Sequence, residues 1–100
     1  MDGEKLIMLV EDNPDDEALT LRALRKNNIL NRVVIARDGA EAIKMLIGND
    51  DASPEMEELP EVVLLDLKLP KIDGLEVLKN IRQNDRTKLV PVVILTSSKE

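Results

Sequence analysis

Oxygen-bearing residues recur in this chain directly after short apolar runs. Glu11 and Asp12 follow "KLIMLV", Asp66 follows Val62–Leu65, and Thr96, Ser97 and Ser98 follow "PVVIL". If the first and third runs are neighbouring strands, their axes lie about 4.8 Å apart and three carboxylates share one pocket. Each like-charge pair at about 4 Å costs about 1 kcal/mol in water and about 4 kcal/mol near a protein surface. Protonation relieves that repulsion, and so does a divalent cation. Few hard oxygen ligands, with room for water, suit Mg2+ better than a fully caged Ca2+. A metal beside a carboxylate and hydroxyls is equipment for handling a phosphoryl group. Taken singly the residues are bland: turn acids, a turn aspartate, and helix caps in Thr96 and Ser97. Their joint occurrence at three strand ends favours the chemical reading.

The elements that must position these groups follow from pattern. Lys5–Val10 is continuously apolar after its lysine and reads as a strand buried on both faces. Asn13 can cap a helix, Pro14 suits its first position, and Asp15, Asp16 and Glu17 favour the positive end of its dipole. Ala18, Leu21 and Leu24 form its apolar stripe, Arg22, Arg25 and Lys26 its solvated side, and it ends near Asn27–Asn28. Arg32–Ala36 is a second strand. Asp38 caps a second helix with Ala42, Ile43, Leu46 and Ile47 on one face and Gly48 at its end. Residues 49–60 are acidic and polar and read as a surface loop. Val62–Leu65 is the third strand. Leu75, Leu78 and Ile81, broadened by Val77, mark a third helix, and Pro91–Leu95 is the fourth strand. The order β-α-β-α-β-α-β, with no repeat, predicts a doubly wound parallel sheet with helices on both faces. Open sheets of this type bind ligands beyond the carboxyl ends of their strands, where the candidate residues lie.

Composition removes competing classes. The 100 residues suit one domain spanning 1–100, and 43% of them are apolar, with no Phe, Tyr or Trp. The core is therefore aliphatic, and stacking on bases is not available. A net charge of −6 argues against a phosphate-neutralising surface, so no nucleic-acid partner is expected. Without Cys or His there is no disulfide, thiolate nucleophile, structural zinc site or imidazole base. No apolar stretch approaches the roughly 20 residues of a membrane span, so the expectation is a cytoplasmic protein with no membrane partner. The glycines are scattered singly and form no phosphate cradle. "DNPDDEALTLR" fails as a calcium loop: Pro14 occupies a ligand position, the turn glycine is missing, and Arg22 stands near where the closing acid belongs.

"LVEDNPDD", "LLDLKLPKIDGLEVLKNIR" and "VVILTSS" resemble, in order along essentially the whole chain, the receiver domain of two-component response regulators. The long loop before the third strand and the "LTSSKE" ending are similar to small stand-alone receivers, including those working with phytochrome-type histidine kinases. The resemblance implies the flavodoxin-like strand order 2-1-3-4-5 that the doubly wound rule itself illustrates with a bacterial receiver. It implies that Asp66 accepts a phosphoryl group from the phosphohistidine of a sensor histidine kinase. It further implies that Asp12 and Asp66 bind Mg2+ directly, Glu11 through water, and Lys68 through its backbone carbonyl. Thr96 would be the switch hydroxyl, and Leu67 and Ser97 would supply backbone N–H groups to the phosphoryl oxygens. Pro70 and Gly74 match the turn and helix start after the acceptor, while Lys68 and Ser98 match positions that tune dephosphorylation. Lys68 and Lys71 are expected to face solvent.

The resemblance covers about four-fifths of a receiver: the fifth strand, the last two helices and the phosphoryl-pairing lysine have no counterpart, and Lys99 is misplaced for that role. An open fourth strand and a bare face beside the first helix then suggest a homodimer or swapped oligomer. Three functions compete. The first is a phosphoryl-accepting switch, not a turnover enzyme, with signalling impaired by what is missing. The second is an oligomerising module without phosphotransfer. The third is an aspartate phosphohydrolase of the haloacid-dehalogenase type, which needs an acid two residues after Asp66, where Lys68 stands.

Overall fold

In the computed structural model, residues 5–49, 53–69 and 73–95 are described. Seven elements follow in order: β1 (Leu6–Val10), α1 (Pro14–Lys26), β2 (Arg32–Ala36), α2 (Gly39–Leu46), β3 (Val62–Asp66), α3 (Gly74–Gln83) and β4 (Val92–Leu95). The four strands form one parallel sheet in the order β2-β1-β3-β4. This is the receiver-like arrangement the motifs imply, as far as β4.

Strand alternation divides the sheet into two faces. Met8, Val10, Ala36, Val63 and Leu65 face α2 and α3, where they pack with Ala42, Leu46, Val77 and Ile81 into the main core. The opposite face carries Val33 and Ile35, which line a shallow groove with Leu21 and Leu24 of α1. The outer strands are less covered than β1, as edges must be: β1 is buried throughout, whereas Arg32 and Val93 are exposed.

Local chemistry sets the helix starts as expected. The Asn13 side chain accepts from the N–H groups of Asp15 and Asp16 at 2.8 and 3.1 Å, with Pro14 in the first turn. Asp38 accepts from Glu41 N–H at 2.8 Å, and Asp73 does the same for Glu76 at 2.9 Å. Two apolar stripes differ from expectation. No residue of α1 is buried, and Ala18 is exposed, because no other described element packs over the helix on that side of the sheet. On α3, Leu75 is 63% exposed, and Val77 and Ile81 carry the packing instead.

Arg86, beyond α3, was not singled out by pattern, yet it ties three segments together. Its guanidinium donates to the carbonyls of Leu46 at 3.3 Å, Met56 at 2.6 Å and Glu57 at 3.3 Å. Charge-assisted bonds of this kind are worth about 1.5–3 kcal/mol where partly shielded, less where exposed. Arg86→Ala is expected to lower the melting temperature and to speed amide exchange at Met56, whose N–H donates to Met45 O at 3.0 Å. Unchanged exchange there would show that the loop is held without it.

Candidate functional site

The parallel register places the acids. Ile7 pairs with Val62, Leu9 with Leu64 and Val10 with Leu65. One residue further, Glu11 comes level with Asp66, and the alternation that puts 7, 9 and 62, 64 on one face puts both acids there as well. Glu11 N–H donates to Ala36 O at 3.0 Å, which keeps the backbone extended to that point. The chain then turns into α1 and leaves Asp12 exposed at the mouth.

One carboxylate oxygen from each of Glu11, Asp12 and Asp66 lies within 4.8 Å of the others. Glu11 is 3% exposed and Asp66 7%. Such burial of acids demands partners. Glu11 Oε2 accepts from Asn13 N–H at 3.2 Å, and Asp66 Oδ1 accepts from Lys68 N–H at 3.0 Å. The turn after β3 thus holds the Asp66 carboxyl, a contact that sequence reasoning did not foresee. The Lys68 side chain faces solvent as expected. No described cation pairs with any of the three acids.

Burial pushes the Glu11 carboxyl up from 4.5 to about 7 against the opposing Asn13 hydrogen bond, and the Asp66 charge and a hydrogen bond to Asp66 add to the rise, with a smaller push from Asp16. Glu11 thus keeps a proton that its unfolded counterpart releases. Between pH 4.5 and about 7 the folded state binds more protons than the unfolded chain, so this group's contribution to stability is lost as pH rises through 7. Without divalent cations, the melting temperature of the wild type should fall relative to Glu11→Gln between pH 5 and pH 8. Parallel curves for the two proteins would refute the assignment. This is the protonation route out of like-charge crowding; a hard cation is the other, and three clustered carboxylate oxygens with one side open fit such an ion.

Leu67 follows Asp66 directly, and its carbonyl accepts from Gly74 N–H at 3.2 Å. A Cβ on Gly74 would stand 2.6 Å from Leu67 Cα and 2.7 Å from Asp66 O, so the start of α3 rests on the backbone that carries the acid. The resemblance matched Gly74 to the helix start, where it stands; its close approach to the Asp66 and Leu67 backbone was not foreseen. Thr96, Ser97, Ser98, Pro70, Lys71 and Lys99 lie outside the described residues.

Comparison with known proteins gives a consistent set of likenesses. A family model described as "Response regulator receiver domain" matches residues 7–100. Response regulator Rcp1 of Synechocystis sp. is 43% identical over 94 residues, which cover 94% of this chain and 63% of Rcp1. The chain therefore spans less than two thirds of that relative's length. The Mn2+-bound crystal form of Rcp1 matches with a TM-score of 0.80 at 42% identity, over 96% of this chain and 68% of that one. The bacteriophytochrome response regulator AtBRR matches with a TM-score of 0.85 at 50% identity, over 98% of this chain and 70% of its own. The phosphorylated cyanobacterial phytochrome response regulator RcpA gives 0.82 at 40% identity, over 98% and 69% respectively.

Proposed function

Because this chain belongs to the response regulator receiver domain family, we propose that it is a switch that takes a phosphoryl group from a sensor histidine kinase onto Asp66 with Mg2+. Receiver domains of response regulators are phosphorylated by histidine kinases and act as signalling switches, generally not as turnover enzymes. The observation that carries the reading for this chain is the convergence of Glu11, Asp12 and Asp66 beside β1 and β3.

In the proposed step an Asp66 carboxylate oxygen attacks phosphorus, the P–N bond of phosphohistidine breaks, and the imidazole leaves and takes up a proton. The Lys68 N–H at Oδ1 fixes the plane of the attacking carboxyl, and the rigid, buried β3 limits its motion. Asp12 and Asp66, with the Lys68 carbonyl, would hold Mg2+ directly and Glu11 would hold it through water; the ion's contribution is to neutralise charge on the acids and the phosphoryl oxygens. Backbone N–H groups of Leu67 and Ser97 and the Thr96 hydroxyl are assigned to the phosphoryl oxygens, with Thr96 as the switch. A relative known in a Mn2+-bound form and another known phosphorylated support both halves of this assignment.

Residues 1–100 are assigned to one receiver domain, corresponding to the N-terminal part of the family fold. No helix among the described residues is long and apolar enough to cross a membrane. A cytoplasmic location goes with an ATP-fed kinase partner. Among the described residues, Val93, 48% exposed on the outer strand, and α1, none of whose residues is buried, support a second copy of the chain as a further partner; a monodisperse monomer at high concentration in light scattering would remove that partner.

Intact-mass measurement after incubation with acetyl phosphate tests the main reading. One phosphoryl group should be gained with Mg2+ present and none after prior chelation with EDTA. Equal labelling in both conditions, or none in either, would sink it.

A further inference from the structure

The face of the sheet that packs on α2 and α3 ends, at the amino side of the strands, in a trough far from the acid cluster. Leu6 opens β1 and Glu11 follows its last residue, so the two ends are about 16 Å apart at strand rise. One lobe, of about 370 Å³, has Leu6, Val34 and Met56 as its apolar floor, with Glu55, Glu57 and Glu58 on its rim. A second lobe, of about 300 Å³, shares Leu6 and Glu58 with the first and adds Leu59 and Glu61. The two lobes adjoin at Leu6 and Glu58.

Its wall is fixed before anything binds. Glu55 N–H donates to Lys44 O at 3.4 Å, Met56 N–H to Met45 O at 3.0 Å, and Arg86 holds the Met56 and Glu57 carbonyls. Preformed walls lower the ordering cost of association. From Ser53 to Glu61 there are four glutamates and no basic residue. Glu55 is shared with Lys44 at 3.5 Å, and Glu61 accepts from the Asn31 amide at 3.3 Å. Arg32 lines the first lobe and Lys5 the second, but among the described residues Glu57 and Glu58 have no ion-pair partner.

We propose that this trough docks an extended segment of a partner protein in which basic and aliphatic side chains alternate. Its Leu or Val side chains enter the floor at Leu6, Met56 and Leu59, and the intervening Lys or Arg side chains bend back over the rim so that their charged heads reach Glu57, Glu58 and Glu61. Side chains two residues apart in an extended segment are about 7 Å from one another, a spacing that lets successive ones enter the two lobes. The contact is made at the end of the sheet opposite Asp66, so it works as a tether that does not depend on phosphorylation.

The probe is a labelled heptapeptide alternating Lys or Arg with Leu or Val, titrated into the whole chain with amide shifts followed by NMR. Shifts should cluster at Leu6, Val34 and residues 55–59. Glu57→Gln with Glu58→Gln should weaken binding about fivefold, the worth of two exposed ion pairs. That variant should still take up phosphoryl from acetyl phosphate as the wild type does, which shows that it is folded. Asp15→Asn with Glu76→Gln removes the same charge elsewhere and should change little. The proposal is overturned by equal weakening in both double variants, or by shifts centred on Asp12 and Asp66. Equal affinity for a peptide of the same charge without Leu or Val also overturns it, as does self-association that Glu57→Gln with Glu58→Gln abolishes, since the occupant is then a second copy.

Discussion

Asp66→Asn is expected to abolish phosphoryl uptake and, in the same protein, to raise the stability of the metal-free fold. The first effect follows from chemistry: an amide oxygen is no nucleophile for phosphorus, and among the described residues the neighbouring acids are Glu11 and Asp12, which the assignment gives to the metal. The second follows from burial. Asp66 and Glu11 are both nearly inaccessible and their carboxyls crowd one another. An asparagine still accepts from Lys68 N–H and can donate to Glu11, turning a repulsion into a hydrogen bond. The relief lies between about 1 and about 4 kcal/mol, the range from bulk water to a protein surface. For a chain of this size each kcal/mol moves the melting temperature by about 4–8 °C. Measurement at pH 8 without divalent ions, where Glu11 is mostly ionised, gives the largest rise. Labelling that persists in this variant, or a lower melting temperature, would each contradict the site.

Gly74→Ala is expected to damage both fold and phosphoryl uptake, although Ala is the better helix former. Propensity favours Ala by about 0.5–1 kcal/mol inside a helix and by less at its first residue. Against it stands a Cβ at 2.6 Å from Leu67 Cα and 2.7 Å from Asp66 O, both backbone atoms that no rotamer change can move aside. Overpacking of this sort costs about 1–3 kcal/mol, so the clash wins. Relief requires α3 to withdraw, breaking Gly74 N–H to Leu67 O, or the turn after β3 to shift and carry Asp66 with it. Uptake from acetyl phosphate, assayed well below the melting temperature, should slow severalfold, since small misplacements of a reacting group are costly. A variant as stable and as readily labelled as the wild type would show that the approach is looser than described.

The acidic cluster was legible in the sequence because the strand ends that carry it are marked locally. Continuous apolar runs fixed which acids stand at strand ends, and Asn13, Pro14 and Asp38 marked helix starts from side-chain chemistry alone. The convergence of Glu11, Asp12 and Asp66 needed one further assumption, that the first and third strands are neighbours, and they are. What pattern missed depends on contacts between distant segments. Arg86 reaches carbonyls 40, 30 and 29 residues away, and an arginine in a polar stretch gives no hint of that. Ala18 and Leu75 sit at helical spacing with apolar partners, yet period alone cannot say whether anything covers them. The Lys68 N–H at Asp66 is a property of the turn's path, which residue types do not encode.

The bareness of α1 has a consequence for how the sequence can change over time. Glu11 is held by β1 and its bond to Ala36, and Asp12 by the turn that Asn13 caps, so neither acid depends on a buried side chain of the helix that follows. Residues 15–26 can therefore drift while the acid pair stays in place. Among the described residues, that leaves α1 as a surface whose outward side chains can change without displacing the carboxylates at the strand ends.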